Sequence, residues 1–300
     1  MYFAGKVIPA ILAKYTVSPT AKAIIAAYNH FRHAWNVMNH YSDNTDDLGN
    51  VDERRKLQKA FQGFLIGLKD AEVMVQQFPV RESRTLLSAY LNLYKDDLVA
   101  EYLNFYLHYS TADRSNYLSE CFKLQWLQDF ANKLLNEPTS EHSRSLLWTV
   151  YFRLGTLYTN SHQEQTAVDY LKRCLDLDKK SLPAMYALGY ALRNIDPERS
   201  VKHLETFLEI APICDKNYTK AMYTLGLIHF NGYQDNDKAK HYYLKGLDAE
   251  RYMLPFHCTE KFDPKAILEL FMMSETEVNW KVLASLTLFA CASICAILIL

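Results

Sequence analysis

Proline and glycine are both scarce in this chain, nine of each in 300 residues, and runs that alternate apolar with polar side chains are hard to find. Few helix breakers and little strand-type periodicity argue against a sheet protein and point to an all-α one. A net field is missing as well. Lysine and arginine number 33 against 34 for aspartate and glutamate, so no global attraction to nucleic acid or to an anionic membrane surface is expected. The six cysteines, at 121, 174, 214, 258, 291 and 295, form neither a zinc spacing nor a disulfide framework. Reduced, buried thiols in a cytosol-facing chain follow. Gly-rich phosphate loops, HExxH helices, nucleophile elbows and convincing carboxylate pairs are also lacking. No catalytic site, cofactor or metal is therefore expected, and an enzyme would need an unrecognised polar cluster in the N-terminal half.

Acid is absent from the first 42 residues, which carry only Lys6, Lys14, Lys22 and Arg32 as fixed charges. That balance raises a mitochondrial presequence, but a single arginine and the interruptions at Pro9 and Pro19 favour a folded first helix. Lys14 and Pro9 also break what would be the apolar core of a secretory signal. From Thr20 to Tyr41 apolar residues recur at helical spacing, and His30, His33 and His40 read as rim residues rather than metal ligands. The polar stretch from Ser42 to Asp52 fails as a calcium loop, because Leu48 and Arg54 stand where glycine and glutamate are needed. Helices are expected over 51–77, 81–94, 96–109 and 113–136, with Pro138 as a stop. Residues 1–138 thus form a helical N-terminal region, either degenerate repeats or a separate cap.

What is present is a pattern written three times. Tyr151-Phe152-Arg153-Leu154-Gly155, Met185-Tyr186-Ala187-Leu188-Gly189 and Met222-Tyr223-Thr224-Leu225-Gly226 place their Leu-Gly pairs 34 and then 37 residues apart. Such a period marks a stacked helix-pair solenoid, here over 139–273. Ala167, Leu171 and Cys174 follow the first glycine; Ser200, Leu204 and Phe207 the second; Ala239, Tyr243 and Gly246 the third, always at steps of four and three. These residues share one face of a second helix, and the small residue leading each set is expected to meet the glycine of the first.

This pattern resembles the tetratricopeptide repeat, matched best by copy one through Tyr151, Leu154, Gly155, Tyr158 and Ala167. Copy two departs at Phe207, where the family has a small residue, and copy three is also similar to a Sel1-like repeat. The resemblance implies a groove lined by the first helices that binds a peptide segment or helix of a protein partner. Arg153, Tyr190, Arg193, Asn194, Tyr223, His229 and Asn231 lie on those predicted helices and are the groove candidates. The carboxylate clamp of the family's chaperone-binding members is not expected, since Phe152, Thr156 and Ala187 occupy its positions and only Lys220 is basic.

Residues 264–273 read as an amphipathic capping helix and 274–281 as a linker. Charge is then missing altogether from Val282 to Leu300, a run that would span about 28 Å as a helix. A transmembrane tail anchor is expected, with Trp280 and Lys281 at the cytosolic interface. The endoplasmic reticulum is favoured over the mitochondrial outer membrane because no basic residue follows the run. The sequon Asn217-Tyr218-Thr219 would be glycosylated only in the reverse topology. The small residues Ala284, Ser285, Ala292, Ser293 and Ala296 would suit packing in a membrane complex, the alternative to an adaptor.

Overall fold

The computed structural model describes residues 33–41 (35 and 39 excepted), 46–70, 80–110, 117–137 and 140–252, and every regular element among them is helical. The expected capping helix, linker and membrane span, and most of the expected helix from Thr20 to Tyr41, lie outside the described residues. Among those described, no helix is long and apolar enough to cross a membrane.

In the N-terminal half α1 (Val51–Asp70), α2 (Val80–Leu93), α3 (Leu98–Ser110) and α4 (Tyr117–Leu135) follow one another. A short 3-10 turn, Asp46–Gly49, precedes them. The third helix starts at Leu98 rather than 96 because the Asp97 carboxylate accepts the Ala100 backbone N–H at 3.1 Å, which fixes Asp97 as its cap. Helix α1 touches both α3 and α5. One continuous core therefore runs from Ala34 through Phe61, Tyr90 and Phe130 into Trp148, Leu171 and Leu192.

Three helix pairs follow: α5 (Glu141–Asn160) with α6 (Glu164–Leu177), α7 (Leu182–Leu192) with α8 (Pro197–Ile210), and α9 (Tyr218–Asn231) with α10 (Asn236–Ala249). Each first helix packs on its own second helix and on the first helix of the next pair, as α5 on α7 and α7 on α9. The starts are set by local chemistry. Ser140 and Ser143 form a reciprocal capping box for α5, while Ser181 and Asp196 cap α7 and α8 with a proline in the first turn.

The glycine of each first helix is where the pair closes, and more than one residue of the second helix meets it. A Cβ on Gly155 would lie 2.6 Å from Leu171, on Gly189 2.7 Å from Leu204 and on Gly226 2.6 Å from Tyr243. The large middle residue of the second helix thus fills the space where a Cβ would lie. In the second pair the small leading residue meets the glycine as expected, Ser200 donating its hydroxyl to the Gly189 carbonyl at 2.5 Å.

Two further expectations change. Cys174 and Cys214 are buried but Cys121 is exposed, because its position on α4 faces away from the core. Asn217 is only 6% exposed and Thr219 only 1%, since the residues that open α9 are packed beneath the 211–217 connection. An unmodified Asn217 in the folded chain therefore carries no topological information.

Candidate functional site

The glycine-bearing face of each first helix turns toward its second helix, and a stripe beside that face is left for a partner. Counting from the glycine, residues three before it and one and four or five after it share that open stripe. In α5 these are Phe152, Thr156 and Asn160; in and just after α7 they are Tyr186, Tyr190, Arg193 and Asn194; in α9 they are Tyr223, Leu227, Phe230 and Asn231. Phe152, Thr156, Tyr186, Tyr190, Arg193 and Phe230 are half-buried, Asn160, Asn194 and Asn231 exposed, and Leu227 is 42% exposed despite its side chain. The packing of α5 on α7 and α7 on α9 brings the three stripes together.

Four of the seven sequence candidates fall on this stripe in accessible form: Tyr190, Arg193, Asn194 and Asn231. Arg193 and Asn194 nevertheless lie beyond α7, which ends at Leu192. The chain must reverse there before the Asp196 cap of α8, and the Arg193 guanidinium donates at 2.7 Å to the Tyr190 carbonyl, which its own backbone N–H meets at 3.4 Å. The same guanidinium stands 3.8 Å from the centre of the Tyr190 ring, a cation–π contact. Asn194 donates to Glu164 on α6 at 3.4 Å.

The other three candidates sit differently. Arg153 turns toward α3, stacking at 4.5 Å over Tyr106. Tyr223 is on the stripe but sunk, its ring against Tyr243 and in contact with the Gly246 backbone, while its hydroxyl donates to Glu250 at 2.7 Å. The residue opposite sets that depth. Copy two has Phe207 where copy three has Gly246, so Tyr186 packs at a tilt on the Phe207 ring, 5.9 Å away, and stays half-buried.

His229 is buried, flat against Tyr242 of α10 at 5.4 Å, and its Nδ1 has no hydrogen-bond partner. Burial pushes its imidazole below the usual 6.5, Lys238 adds to the shift, and Asp235 and Glu205 oppose it. Burial likewise lowers His203. A histidine held neutral in the fold leaves stability undiminished above about pH 6.5; as the pH falls below that value the unfolded chain binds protons first and the fold loses stability. The melting temperature is expected to drop between pH 7.5 and pH 5.5, and His229→Phe, which keeps the stack on Tyr242 without the titrating group, to drop less. Parallel pH profiles for the two proteins would refute this role.

Sequence reading missed Tyr186, Leu227 and Phe230. The signal was available, since each holds the same offset from its glycine as a residue that was named. A second concavity, about 500 Å³, lies in the N-terminal half between α1, the turn after α2 and the start of α5. Several of the side chains in and around it are engaged with one another. Asp97 accepts Gln58 at 3.2 Å and the Tyr90 hydroxyl at 2.8 Å, and Arg54 stacks at 4.1 Å over Tyr94. Among the described residues no group of three or more potential metal ligands occurs.

A family model described as tetratricopeptide repeat matches residues 149–181, most of α5 through the residue that caps α7. No curated protein matches the chain. A solved structure that does is the crystal structure of YrrB, described as a TPR protein with an unusual peptide-binding site. It is 15% identical with a TM-score of 0.43, over 73% of this chain and 100% of that one. The described residues are thus all helical in their regular structure, and the first helix pair with the cap of the next is similar to a tetratricopeptide repeat.

Proposed function

We propose that this chain is an adaptor held on the cytosolic face of a membrane, the endoplasmic reticulum in preference to the mitochondrial outer membrane, where it recruits a protein partner. The open stripe across α7 and α9 carries the reading. Tyrosine, arginine and leucine side chains stand there partly uncovered, on rigid helices, and aromatic and arginine residues supply binding energy out of proportion to their number. Tyr190, Arg193, Asn194 and Asn231 are the contact residues in this reading, with Arg153 at the N-terminal edge. Tyr223 and His229 act from beneath by holding α9 against α10. The charge-free run from Val282 to Leu300 supports the anchoring half of the proposal.

The test is purification of full-length protein from mild detergent with its bound partners, beside a chain ending at Val278 and a Tyr190→Ala/Arg193→Ala variant. The truncated chain should become soluble and keep its partner, and the double variant should lose the partner at least about tenfold while its helical spectrum is unchanged. A partner lost on truncation but kept by the double variant would favour a membrane-complex subunit instead. Topology is read with Lys238→Thr, which creates a sequon at exposed Asn236. A glycan there would overturn the cytosolic placement.

A further inference from the structure

The concavity of about 500 Å³ between α1, the turn after α2 and the start of α5 has the size of a small-molecule site and is built from other residues than the α7–α9 stripe. One wall is a ladder on α1. Arg54, Gln58 and Gln62 stand four residues apart, so they rise along one face of that helix, and all three line the cavity. The floor is apolar, since Leu134 from α4 and Leu146 from α5 line it at 3% and 1% exposure. The mouth is polar. Lys95 and Asp96 from the turn and His142 from α5 line it and are exposed.

Two features of this cavity call for an anion. The first is Arg54. Its guanidinium is held 4.1 Å over the Tyr94 ring, and its Nε is buried with no hydrogen-bond partner. A buried donor left open is costly, more so on a charged group, and marks a place where an acceptor is expected. Asp97 does not take that role. One of its oxygens already accepts Gln58 and the Tyr90 hydroxyl, and the other the Ala100 N–H. Asp96, the remaining acid of the described lining, is exposed, where solvent screens it.

The second feature is the start of α5. Ser140, His142 and Ser143 line the cavity. The capping box satisfies the Ser143 N–H, while those of Glu141 and His142 have no carbonyl of their own helix to meet. A helix of 20 residues thus turns the positive end of its dipole toward the space that Arg54 borders.

We propose that this cavity binds a small organic anion, a carboxylate or phosphate head on an apolar body. The head would lie between the Arg54 fork and the first turn of α5, a charge-assisted pairing that gives the orphan Nε its acceptor. The body would cover Leu134 and Leu146, with the Gln62 amide alongside it. Such a ligand would touch α1 and α5 at once and tie the N-terminal helices to the first pair of the solenoid. The inference concerns a site outside the stripe and stands whether or not the chain is an adaptor or is membrane-held.

Calorimetric titration of the full chain in micelles, against an empty-micelle blank, tests it with hexanoate, hexyl phosphate and the uncharged hexanol as probes. One anion or both should bind saturably and at least about tenfold tighter than hexanol. The tighter of the two identifies the head as carboxylate or phosphate, and its binding should raise the melting midpoint. Arg54→Gln should weaken it at least about tenfold, and Gln62→Leu, which leaves Arg54 in place, at least about threefold. Should Arg54→Gln not fold, Gln62→Leu decides alone. The Tyr190→Ala/Arg193→Ala variant should bind as the parent does. The proposal is overturned if neither anion binds saturably, if hexanol binds as tightly, or if either folded variant keeps the parent's affinity. Loss of binding in Tyr190→Ala/Arg193→Ala also overturns it, by placing the anion in the solenoid groove.

Discussion

Replacing Phe207 by alanine is expected to remove about 3–5 kcal/mol of stability, the usual range for emptying a fully buried aromatic site. The ring is 0% exposed and sits in a cluster with Leu204, Ala211, Ala221, Leu225 and Ile228, with Tyr186 half-buried against it. No neighbour can collapse into the void, because α8 is held to α7 at Gly189 and to α9 by the 211–217 connection. For a body of this size the loss corresponds to a fall of about 6–20 °C in the melting midpoint. Phe207→Leu retains most of the volume and is expected to lose under about 1.5 kcal/mol. Urea titration of both variants decides the point. A loss under about 1 kcal/mol for the alanine variant would mean that the middle pair is not sealed by this ring.

The second large effect is expected at Gly189. A methyl group there falls 2.7 Å from Leu204 Cγ and 2.8 Å from its Cδ2, and Leu204 is completely buried. These are the inner atoms of a packed side chain, so the two helices have to separate, at about 1–3 kcal/mol for Gly189→Ala and more for Gly189→Val. Two controls isolate the cause. Gly49→Ala, where nothing lies within 4 Å, should melt like the parent. Gly189→Ala combined with Leu204→Ala should lose clearly less than the sum of the two single changes, since the added methyl partly fills the space the leucine vacates. Strict additivity would show that the pair does not close at this glycine.

Much of the solenoid was legible in the sequence because close approach of two helix backbones allows so few solutions. Gly155, Gly189 and Gly226 announce where pairs close. The depth of the groove residues was not legible. Whether an aromatic three before the glycine stands in the groove or sinks depends on the size of a residue on another helix, Phe207 for Tyr186 and Gly246 for Tyr223. That the large middle residue also fills the space at each glycine was likewise not legible, because spacing places residues on a face without saying which of them reaches furthest. In the N-terminal half the helices meet through large rings, such as Phe105 stacked 3.7 Å from Trp126, and the Leu-Gly pair there, Leu48-Gly49, lies in a 3-10 turn rather than where two helices close. Broad aromatic contacts tolerate many helix spacings, so they leave no period to read.

The division of the core has a mechanical consequence. From Ala34 to Leu192 the apolar contacts are continuous, whereas Tyr223, Ala239 and Tyr243 form a small cluster of their own. In a quasi-linear stack each unit is held by its own packing and by its neighbours. Under force or protease the molecule should therefore come apart by unzipping from α10 and α9 inward, while the N-terminal helices and the first pair yield together. Any ligand bridging α7 and α9 would then act as a latch, raising the cost of that first step with the logarithm of its concentration relative to its Kd.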